Sequence, residues 1–545
     1  MNETISQILQ KLYDVQTDVV LTRPDAKFGD YATNVALQLA KPLGRNPREI
    51  AEEIAGALRE AGEFSEVSVA GPGFINVRLS DRALLALAKK PAIASRQGQT
   101  VVIETNNPNP FKAMHIGHAM NSIVADGMAN LLEESGATTH RVSYHGDIGA
   151  HVGKSMWAFL RYVDGDASKL EQVPKTERNS LMNTMYAEGA RAYKADDQAK
   201  SEIDELARQS FSREDPLYAA VYDTVFAWSF DGIAENLERL GNQPVERRFL
   251  ESEADGRGGE TVHAHVPDVF EESDGALVFR GSKYGAFDNA FVASNGRGLY
   301  AARDLGLMQL KNEAYHPNKS FIVTAEEQRD YFKGVIAAAG LCLPELAEQT
   351  LNVSTGMVKL STGKMSSRSG DVVTISWLFD QIASAIRERG GDPTDEVVAG
   401  ALRYAFLKVR IGGDIVFDIN ESVSIQGNSG PYLQYAHARA CSILEKTAVA
   451  EDFTATDVTY DEAERLLLRK IGEYHEAKEV AMRELLPHHI CNYLYELAQE
   501  FNRFYEKSRV IGDEREAIRI ELVRLYRDTL AAGLNVLGIA APEKL

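Results

Sequence analysis

A short apolar run, a tight turn and a helical pattern follow one another between residues 101 and 136, and they restrict the fold more than any other part of the sequence. Residues 101–104 are typical of a buried strand. Apolar residues then recur at helical spacing from Met120 to Leu131, and Gly136 ends the pattern. A strand that leads through a tight turn into a helix opens a doubly wound α/β domain. We therefore predict a Rossmann-like parallel sheet beginning near residue 96.

The remaining patterns predict a multidomain α/β chain, which agrees with its 545 residues. Residues 1–95 combine helical patterns with strand-like runs at 66–70 and 74–79, which indicates a small α+β domain. Residues 96–420 form the predicted doubly wound domain, with strand-like runs at 290–293, 321–324 and 357–360. A polar, acidic and irregular stretch with helical pieces, at about 155–290, is interpreted as an insertion into it. The apolar pattern of residues 421–545 is helical along its whole length, so we predict an all-helical domain there.

Composition excludes several classes of protein. The chain is 44% hydrophobic and 25% charged, unlike disordered or fibrous proteins. It has no apolar run of the roughly 18 residues that a bilayer requires, and it begins without a secretory signal pattern, so we expect a cytoplasmic protein. The three scattered cysteines predict free thiols rather than a zinc site. The net charge of −20 argues against nonspecific binding to nucleic acid, so any such binding has to use local patches.

Two stretches resemble phosphate-binding motifs but do not match them fully. Residues 149–155 resemble a P-loop, but three residues separate the glycines where four are required. Residues 296–301 resemble a dinucleotide turn, but Phe321 stands where an acidic residue is expected. We predict ordinary turns at both places.

A stronger candidate is the turn before the predicted helix, with His115 and His118 three residues apart. Both imidazoles would project from the first helical turn, and Gly117 would let a flat ring approach the backbone. A helix N-terminus attracts polyphosphate, and two imidazoles there could donate to phosphoryl oxygens. The alternative is a pair of capping or core histidines.

A second candidate follows the strand-like run at 357–360. Residues 361–370 are rich in glycine and hydroxyl groups and carry Lys364, whose ammonium group could close over leaving phosphates. The alternative is a solvated surface turn.

These two motifs resemble the paired signatures of class I aminoacyl-tRNA synthetases, and the surrounding sequence resembles the arginyl-tRNA synthetases along the whole chain. The matching blocks, in the order of that family, are residues 29–34, 71–76, 146–149, 300–304, 427–439, 501–505 and 537–539. The resemblance implies that arginine and ATP, the latter with Mg²⁺, form arginyl-adenylate and pyrophosphate. The terminal ribose 2′-OH of tRNA(Arg) then takes the arginyl group. It implies no tightly bound protein metal, and we expect a monomer.

The resemblance also implies roles for individual residues. Those assigned to catalysis or to ATP are Lys112, His115, Gly117, His118, Lys364, Met365 and Ser366. Those assigned to arginine are Asn107, Asn109, His118, Tyr300, Asp304 and Gln328. Planar recognition of a guanidinium group calls for a carboxylate such as Asp304, although an ion pair with Arg303 or another surface base is the alternative.

One position departs from the family pattern, because Ser367 replaces the second lysine of the downstream signature. Lys112, ahead of the histidine pair, could supply the missing charge, and Arg368 is the other candidate.

Two further regions are expected to serve tRNA binding. On the run 74–79, Phe74, Asn76 and Arg78 share one face and could stack on, read and neutralise an unpaired nucleotide, as the family does at the tRNA elbow. Phe74 covering a hydrophobic seam is the alternative. The helical domain resembles an anticodon-binding bundle, but its aromatic stripe is interpreted as core, so Phe501 and Tyr505 are assigned no base contact.

Two other functions compete with this interpretation. A stand-alone nucleotidylyltransferase uses similar ATP sites but needs neither the first 95 nor the last 120 or so residues. A catalytically silent relative that only binds tRNA would not need His115, His118, Lys364 and Asp304. A cysteinyl enzyme is disfavoured because the metal-binding thiolates are missing.

Overall fold

The computed structural model describes residues 1–90, 94–362, 373–449 and 458–545. Its first unit combines four helices with a small antiparallel sheet. The elements are α1 (Asn2–Tyr13), β1 (Leu21–Thr22), β2 (Tyr31–Thr33), α2 (Val35–Leu43), α3 (Pro47–Glu60), β3 (Phe64–Ala70), β4 (Phe74–Leu79) and α4 (Asp81–Ala88). The strands pair in the order β1-β2-β4-β3, which is an α+β arrangement.

Local sequence signals explain these elements. The Asn46 side chain caps α3, and Pro47 occupies its first turn, where a missing N–H costs nothing. In β4 the side chains of Ile75, Val77 and Leu79 are buried against the helices. The alternate residues of that strand face outward, as the period of two predicts.

A five-stranded parallel sheet dominates the second unit, in the order β12-β11-β5-β6-β7. Its strands and those of two smaller sheets are β5 (Thr100–Asn106), β6 (Thr138–His145), β7 (Arg247–Leu250), β8 (Phe270–Ser273), β9 (Ala276–Phe279), β10 (Asn289–Val292), β11 (Lys319–Ala325), β12 (Thr350–Thr355), β13 (Val358–Leu360) and β14 (Ile415–Phe417). The helices are α5 (Ile116–Glu134), α6 (Ala150–Val163), α7 (Lys175–Ala195), α8 (Asp197–Ser212), α9 (Pro216–Arg239), α10 (Glu251–Ala264), α11 (Tyr300–Tyr315), α12 (Arg329–Cys342), α13 (Pro344–Gln349), α14 (Ile375–Glu388), α15 (Asp395–Leu407) and α16 (Ile419–Ser422).

The direction of winding reverses at the centre of this sheet. From β5 the chain moves outward through β6 to β7, and it then returns to the other side of β5 with β11 and β12. Parallel sheets bind ligands beyond the carboxyl ends of the strands on either side of such a switch point. The predicted doubly wound fold is confirmed, and the switch lies where the histidine pair begins α5.

The stretch at about 155–290 has the helical pieces expected there, although it is less irregular than its sequence suggests. It contains the long helices α7, α8 and α9, and then β7, which pairs with β6 at the edge of the main sheet. The run at 290–293 joins a separate antiparallel sheet, β10-β9-β8, and the run at 357–360 pairs with β14. Apolar runs predict strands, but they do not specify the partner strand.

Neither glycine-rich stretch forms a phosphate loop. Gly153 lies inside α6 against α8, where a Cβ atom would come 2.5 Å from the Ile203 carbonyl oxygen. Close helix packing therefore explains this glycine. Gly296 lies in a tight turn, at φ +80°, and its N–H donates to the Ala293 carbonyl.

In its described residues, 421–449 and 458–545, the last unit consists of helices and the turns that connect them, without strands. Its long helices are α17 (Gly430–Leu444), α18 (Glu462–Gly472), α19 (Tyr474–Glu484), α20 (His488–Lys507) and α21 (Glu516–Val536). Phe501 is buried and stacks on Tyr526 with ring centroids 3.8 Å apart, as expected of a core residue. Tyr505 is 42% exposed, so its assignment to the core stripe is wrong. It lies one turn beyond Phe501, at the solvent edge of the same face.

The first and last units contact each other directly. The Arg465 guanidinium on α18 bridges Asp30 at 2.6 Å and Asp81 at 2.5 Å. Within the described parts of the chain, no helix is both long and apolar enough to cross a membrane.

Candidate active site

A cavity of about 850 Å³ opens at the carboxyl ends of β5, β6, β7 and β11. Every predicted ATP or arginine residue in the described parts of the chain lines it. These residues are Asn107, Asn109, Lys112, His115, Gly117, His118, Tyr300, Asp304 and Gln328. They come from three separate segments of sequence, so the fold brings them together. Their roles stay predictions, since a shared cavity does not identify a ligand.

The histidine pair forms the first turn of α5. The His118 N–H donates to His115 Nδ1 at 3.4 Å, the His115 N–H donates to His118 Nδ1 at 3.2 Å, and the two rings stack 3.6 Å apart. The rings are thus both caps and cavity groups. Burial lowers the pKa of His115 to about 4 and that of His118 well below its usual value. Each neutral ring accepts at Nδ1, so its proton lies on Nε2 and can be donated to a ligand.

The loop before this pair is held by the helices of the 155–290 stretch. Phe111 has a left-handed backbone, at φ +66°, which is uncommon for a bulky residue. Its N–H donates to Ser229 Oγ, and its carbonyl accepts from Ser155 Oγ. The next residue, Lys112, lines the cavity, and burial lowers the pKa of its ammonium group, with Lys154 adding repulsion. The helices therefore present a cationic group beside the histidines.

The second predicted motif falls outside the described residues. Lys364, Met365, Ser366, Ser367 and Arg368 all lie between residues 363 and 372. Both described flanks of that segment border the cavity, through Lys359 on one side and Val373 on the other. The Ile116 N–H also donates to the Val373 carbonyl at 2.9 Å.

Asp304 is the best candidate for a guanidinium partner. It lies on α11, four residues after Tyr300, and is only 8% exposed. The Tyr331 hydroxyl donates to it at 2.5 Å, but it forms no ion pair within the described residues. The alternative pairing with Arg303 is excluded, because that guanidinium binds Glu251 and Asp255, each at 2.7 Å. Burial raises the pKa of Asp304 to about 7, so a cationic ligand would stabilise its charged form.

The two predicted asparagines connect neighbouring strand ends. Asn107 donates to Glu104 Oε2 at 2.6 Å and accepts from the Tyr144 N–H at 2.9 Å. Asn109 Oδ1 accepts from the Gly146 N–H at 3.2 Å. Gln328 is exposed at the cavity rim, in the turn after β11.

Several cavity residues were missed by the sequence analysis. Glu104 is buried in β5 and pairs with the buried Lys311 at 2.7 Å. Glu251 begins α10, and Tyr331 lies on α12. A carboxylate that ends an apolar strand could have identified Glu104, since buried charges need a partner or a function. Nothing in the local sequence distinguishes Glu251 or Tyr331.

The predicted tRNA-binding residues lie far along the chain from this cavity. Phe74 is 43% exposed on β4, and Asn76 and Arg78 are half-buried on the same face. In the helical unit, the Arg439 guanidinium lies 5.5 Å from the ring centroid of exposed Tyr435 and 5.7 Å from that of Tyr505. This second aromatic–cationic surface was not predicted.

No group of three or more His, Cys, Asp or Glu side chains among the described residues is arranged to hold a metal ion.

Comparison with protein families gives three matches in chain order. The arginyl-tRNA synthetase N-terminal domain matches residues 1–79, the class I (R) tRNA synthetase catalytic domain matches residues 81–392, and the DALR anticodon-binding domain matches residues 433–545. The match across all three units excludes the stand-alone nucleotidylyltransferase.

Individual relatives agree with these matches. An arginine–tRNA ligase of Frankia casuarinae is 31% identical over 96% of this chain and 94% of its own, and one of Limosilactobacillus fermentum is 29% identical over 99% and 98%. The arginyl-tRNA synthetase structure of Thermus thermophilus superposes with a TM-score of 0.80 at 25% identity, covering 100% of this chain and 99% of that one. That of Plasmodium falciparum shares the fold, with a TM-score of 0.79 at 21% identity and coverage of 100% and 98%. With its domains in family order and the predicted residues in one cavity, the chain belongs to the arginyl-tRNA synthetases of class I.

Proposed function

We propose that this arginine–tRNA ligase activates L-arginine in the cavity at the switch point and transfers it to tRNA(Arg). One observation carries the assignment of the site: residues from 107 to 328 that the family pattern predicts for arginine and ATP line a single cavity. The cavity also has the chemistry that two such substrates require. Its carboxylates can accept from a guanidinium, and its imidazoles and lysines can donate to phosphates.

In the first step, the arginine carboxylate attacks the α-phosphorus of ATP and the bond to pyrophosphate breaks, which gives arginyl-adenylate. The nucleophile is already ionised, so the protein needs to position it and stabilise charge rather than remove a proton. His115 and His118 donate from Nε2 to phosphoryl oxygens, and Lys112 balances charge from the adjacent loop. We assign Lys364, Met365 and Ser366 to ATP by family resemblance, with the cavity position of Lys359 and Val373 as support.

Mg²⁺ enters this scheme as the counterion of ATP, that is, as part of the substrate. Lys112 remains our candidate for the missing second lysine, because it is in the cavity and has no ion-pair partner among the described residues. Arg368 remains the competing candidate.

In the second step, the 2′-OH of the terminal tRNA ribose attacks the arginyl carbonyl and AMP leaves. Phe74, Asn76 and Arg78 are proposed to contact an unpaired base and its phosphate. This role is supported by the exposure of the Phe74 ring and by the position of Asn76 and Arg78 on the outward face of β4. The surface formed by Tyr435, Arg439 and Tyr505 is the candidate for the anticodon loop, since it presents two rings and a cation within the unit that matches an anticodon-binding domain.

The decisive experiment is arginine-dependent exchange of pyrophosphate into ATP. We expect exchange with arginine in the presence of tRNA(Arg), and little with lysine or with citrulline, in which a neutral urea replaces the guanidinium. Equal exchange with lysine, or arginine-dependent exchange that needs no tRNA, would contradict this assignment.

We further propose that the enzyme is a cytoplasmic monomer with domain limits near residues 95 and 420. Light scattering coupled to size-exclusion chromatography tests the monomeric state against the chain mass of 60.0 kDa. Cell fractionation tests the cytoplasmic location, and limited proteolysis tests the domain limits.

A further inference from the structure

The ion pairs that leave the described part of the first unit, residues 1–90, all end in the helical unit. They link Arg23, Asp30, Asp81 and Lys89 to partners on α18, α19 and α21. The unit proposed to contact the tRNA elbow is therefore docked on the unit that matches an anticodon-binding domain.

Arg465 on α18 is the centre of this junction. Its buried guanidinium donates to the Asp30 and Asp81 carboxylates at 2.6 and 2.5 Å. It also donates to the Leu79 carbonyl at 2.9 Å. Asp30 in turn accepts from the Leu79 N–H at 2.8 Å. Both backbone groups of Leu79, the last residue of β4, are thus held at the junction.

The strand held in this way is the one that presents Phe74, Asn76 and Arg78 on its outward face. Arg465 therefore fixes the end of the strand that is proposed to contact the tRNA elbow. A planar guanidinium with several donors sets both the distance and the orientation of its partners, which an ammonium group does less strictly.

The same helix is tied to the proposed anticodon surface. On α18, Glu464 accepts from Arg519 on α21 at 2.9 Å, and both side chains are buried. The rings of Tyr526 on α21 and Phe501 on α20 stack on each other, and α20 also carries Tyr505. Buried contacts therefore connect the strand with the elbow surface to a helix with part of the anticodon surface.

A second forked contact stiffens the junction. Arg23 donates to both carboxylate oxygens of Glu476 on α19, at 2.8 and 3.1 Å. The Tyr31 hydroxyl donates to the same carboxylate, and the Arg23 guanidinium lies 3.9 Å from the centroid of the Tyr31 ring. Two forked contacts at separate points oppose rotation of the first unit about either of them.

We propose that the first unit and the helical unit form one rigid gauge of the distance between the elbow and the anticodon of tRNA, with Arg465 as its positioning residue. This inference rests on the proposed function, because it assumes that tRNA contacts both surfaces. A ligand held at two points gains the most affinity when its span matches that of the two sites, and a loose connection between the sites weakens this selection. The junction thus selects tRNA by its span as well as by its bases.

Two tRNAs of different span test the inference. One is tRNA(Arg), and the other is the same tRNA with one base pair inserted in the anticodon stem, which displaces the anticodon from the elbow. Fluorescence anisotropy gives the dissociation constant of each tRNA for the full-length enzyme. The wild-type enzyme should prefer the unaltered tRNA. Arg465→Lys should shrink this preference about tenfold, because lysine keeps the charge but loses the planar fork.

Two further variants separate the gauge from a general loss of stability. Arg23→Lys loosens the same junction at a less buried point, so it should shrink the preference by a smaller factor, and it decides the question if Arg465→Lys does not fold. Arg45→Lys is the matched control, because Arg45 pairs with Glu53 inside the first unit, and it should leave the preference unchanged. All three variants should keep the kcat of arginylation at saturating unaltered tRNA.

Several results would overturn the inference. They are equal affinity of the wild-type enzyme for the two tRNAs, an unchanged preference in the junction variants, and equal weakening of both tRNAs. A loss of preference in Arg45→Lys as large as that in Arg465→Lys would overturn it too. Phe74→Ala tests the proposed function separately. If this variant binds the unaltered tRNA as tightly as the wild-type enzyme, the proposed elbow contact is wrong, whatever Arg465→Lys does.

Discussion

Arginine binding should depend on pH through Asp304. Burial raises the pKa of this carboxyl to about 7 in the free protein, so it is largely protonated at pH 6 and ionised at pH 8. A guanidinium binds the ionised form, so binding lowers the pKa and releases a proton. The affinity should therefore fall as the pH drops through 7.

The size of the effect follows from the size of the pKa shift. If binding returns the Asp304 carboxyl to near its ordinary pKa of 3.8, each pH unit below 7 weakens binding about tenfold, or about 1.4 kcal/mol. The dissociation constant should then be about 10-fold larger at pH 6 than at pH 8, and about 100-fold larger at pH 5. The charged and titratable groups that face Asp304 are Tyr144, Tyr331, Glu104, Glu251 and Lys311. Of these, Glu251 also titrates near pH 7, and burial is the main cause.

Titration calorimetry in buffers of different ionisation enthalpy measures both the affinity and the protons released. Citrulline shares the α-ammonium group with arginine but lacks the guanidinium. The difference between the pH dependence of arginine binding and that of citrulline binding therefore isolates the guanidinium contact at Asp304. Asp304→Asn should abolish that difference while leaving the pH dependence of citrulline binding. An arginine affinity that is flat between pH 6 and 8, or a pH slope that survives in Asp304→Asn, would refute the reasoning.

Three further outcomes are expected. Lys112→Ala should slow adenylate formation in the exchange assay by about 10²-fold or more, because a cation at the developing pyrophosphate is lost. Lys154→Ala is the control and should have a small effect, because Lys154 lies outside the cavity wall. Gly117→Ala should raise the KM for ATP several-fold, because its Cβ atom would come 3.1 Å from the His115 ring. Gly56→Ala on α3 is the control: its Cβ atom meets no atom within 4 Å, so the KM for ATP should not change. Phe74→Ala should raise the KM for tRNA about 10-fold through lost base stacking, and it should leave the KM values for arginine and ATP unchanged.

Each of these expectations has a contradicting result. If Arg368→Ala slows adenylate formation and Lys112→Ala does not, the charge compensation by Lys112 is wrong. A Gly117→Ala enzyme with normal KM for ATP would mean that the rings do not bind the nucleotide. An unchanged KM for tRNA in Phe74→Ala would favour the interpretation of Phe74 as a cover over a hydrophobic seam.

The candidate site was predictable where a family pattern met a local structural signal. His115 and His118 lie at a strand-to-helix switch that can be read from a dozen consecutive residues, and the cavity contains both. Glu251 and Tyr331 carry no such signal, because their role arises from β7 pairing with β6 and from α12 packing beside α11. Sequence periodicity reports which face of an element is apolar, but it does not report which element covers that face.

The sequence by itself determined the kind of each local element and the order of the three units. Caps, prolines and apolar periods act within a few residues, so α3, β4 and the start of α5 could be predicted. Only the tertiary structure decided that β7 closes the edge of the main sheet, that Arg303 binds Glu251 rather than Asp304, and that Tyr505 faces solvent. Those outcomes depend on the free energy of contacts between distant segments, because burial and charge pairing are settled by whichever groups the fold brings into reach.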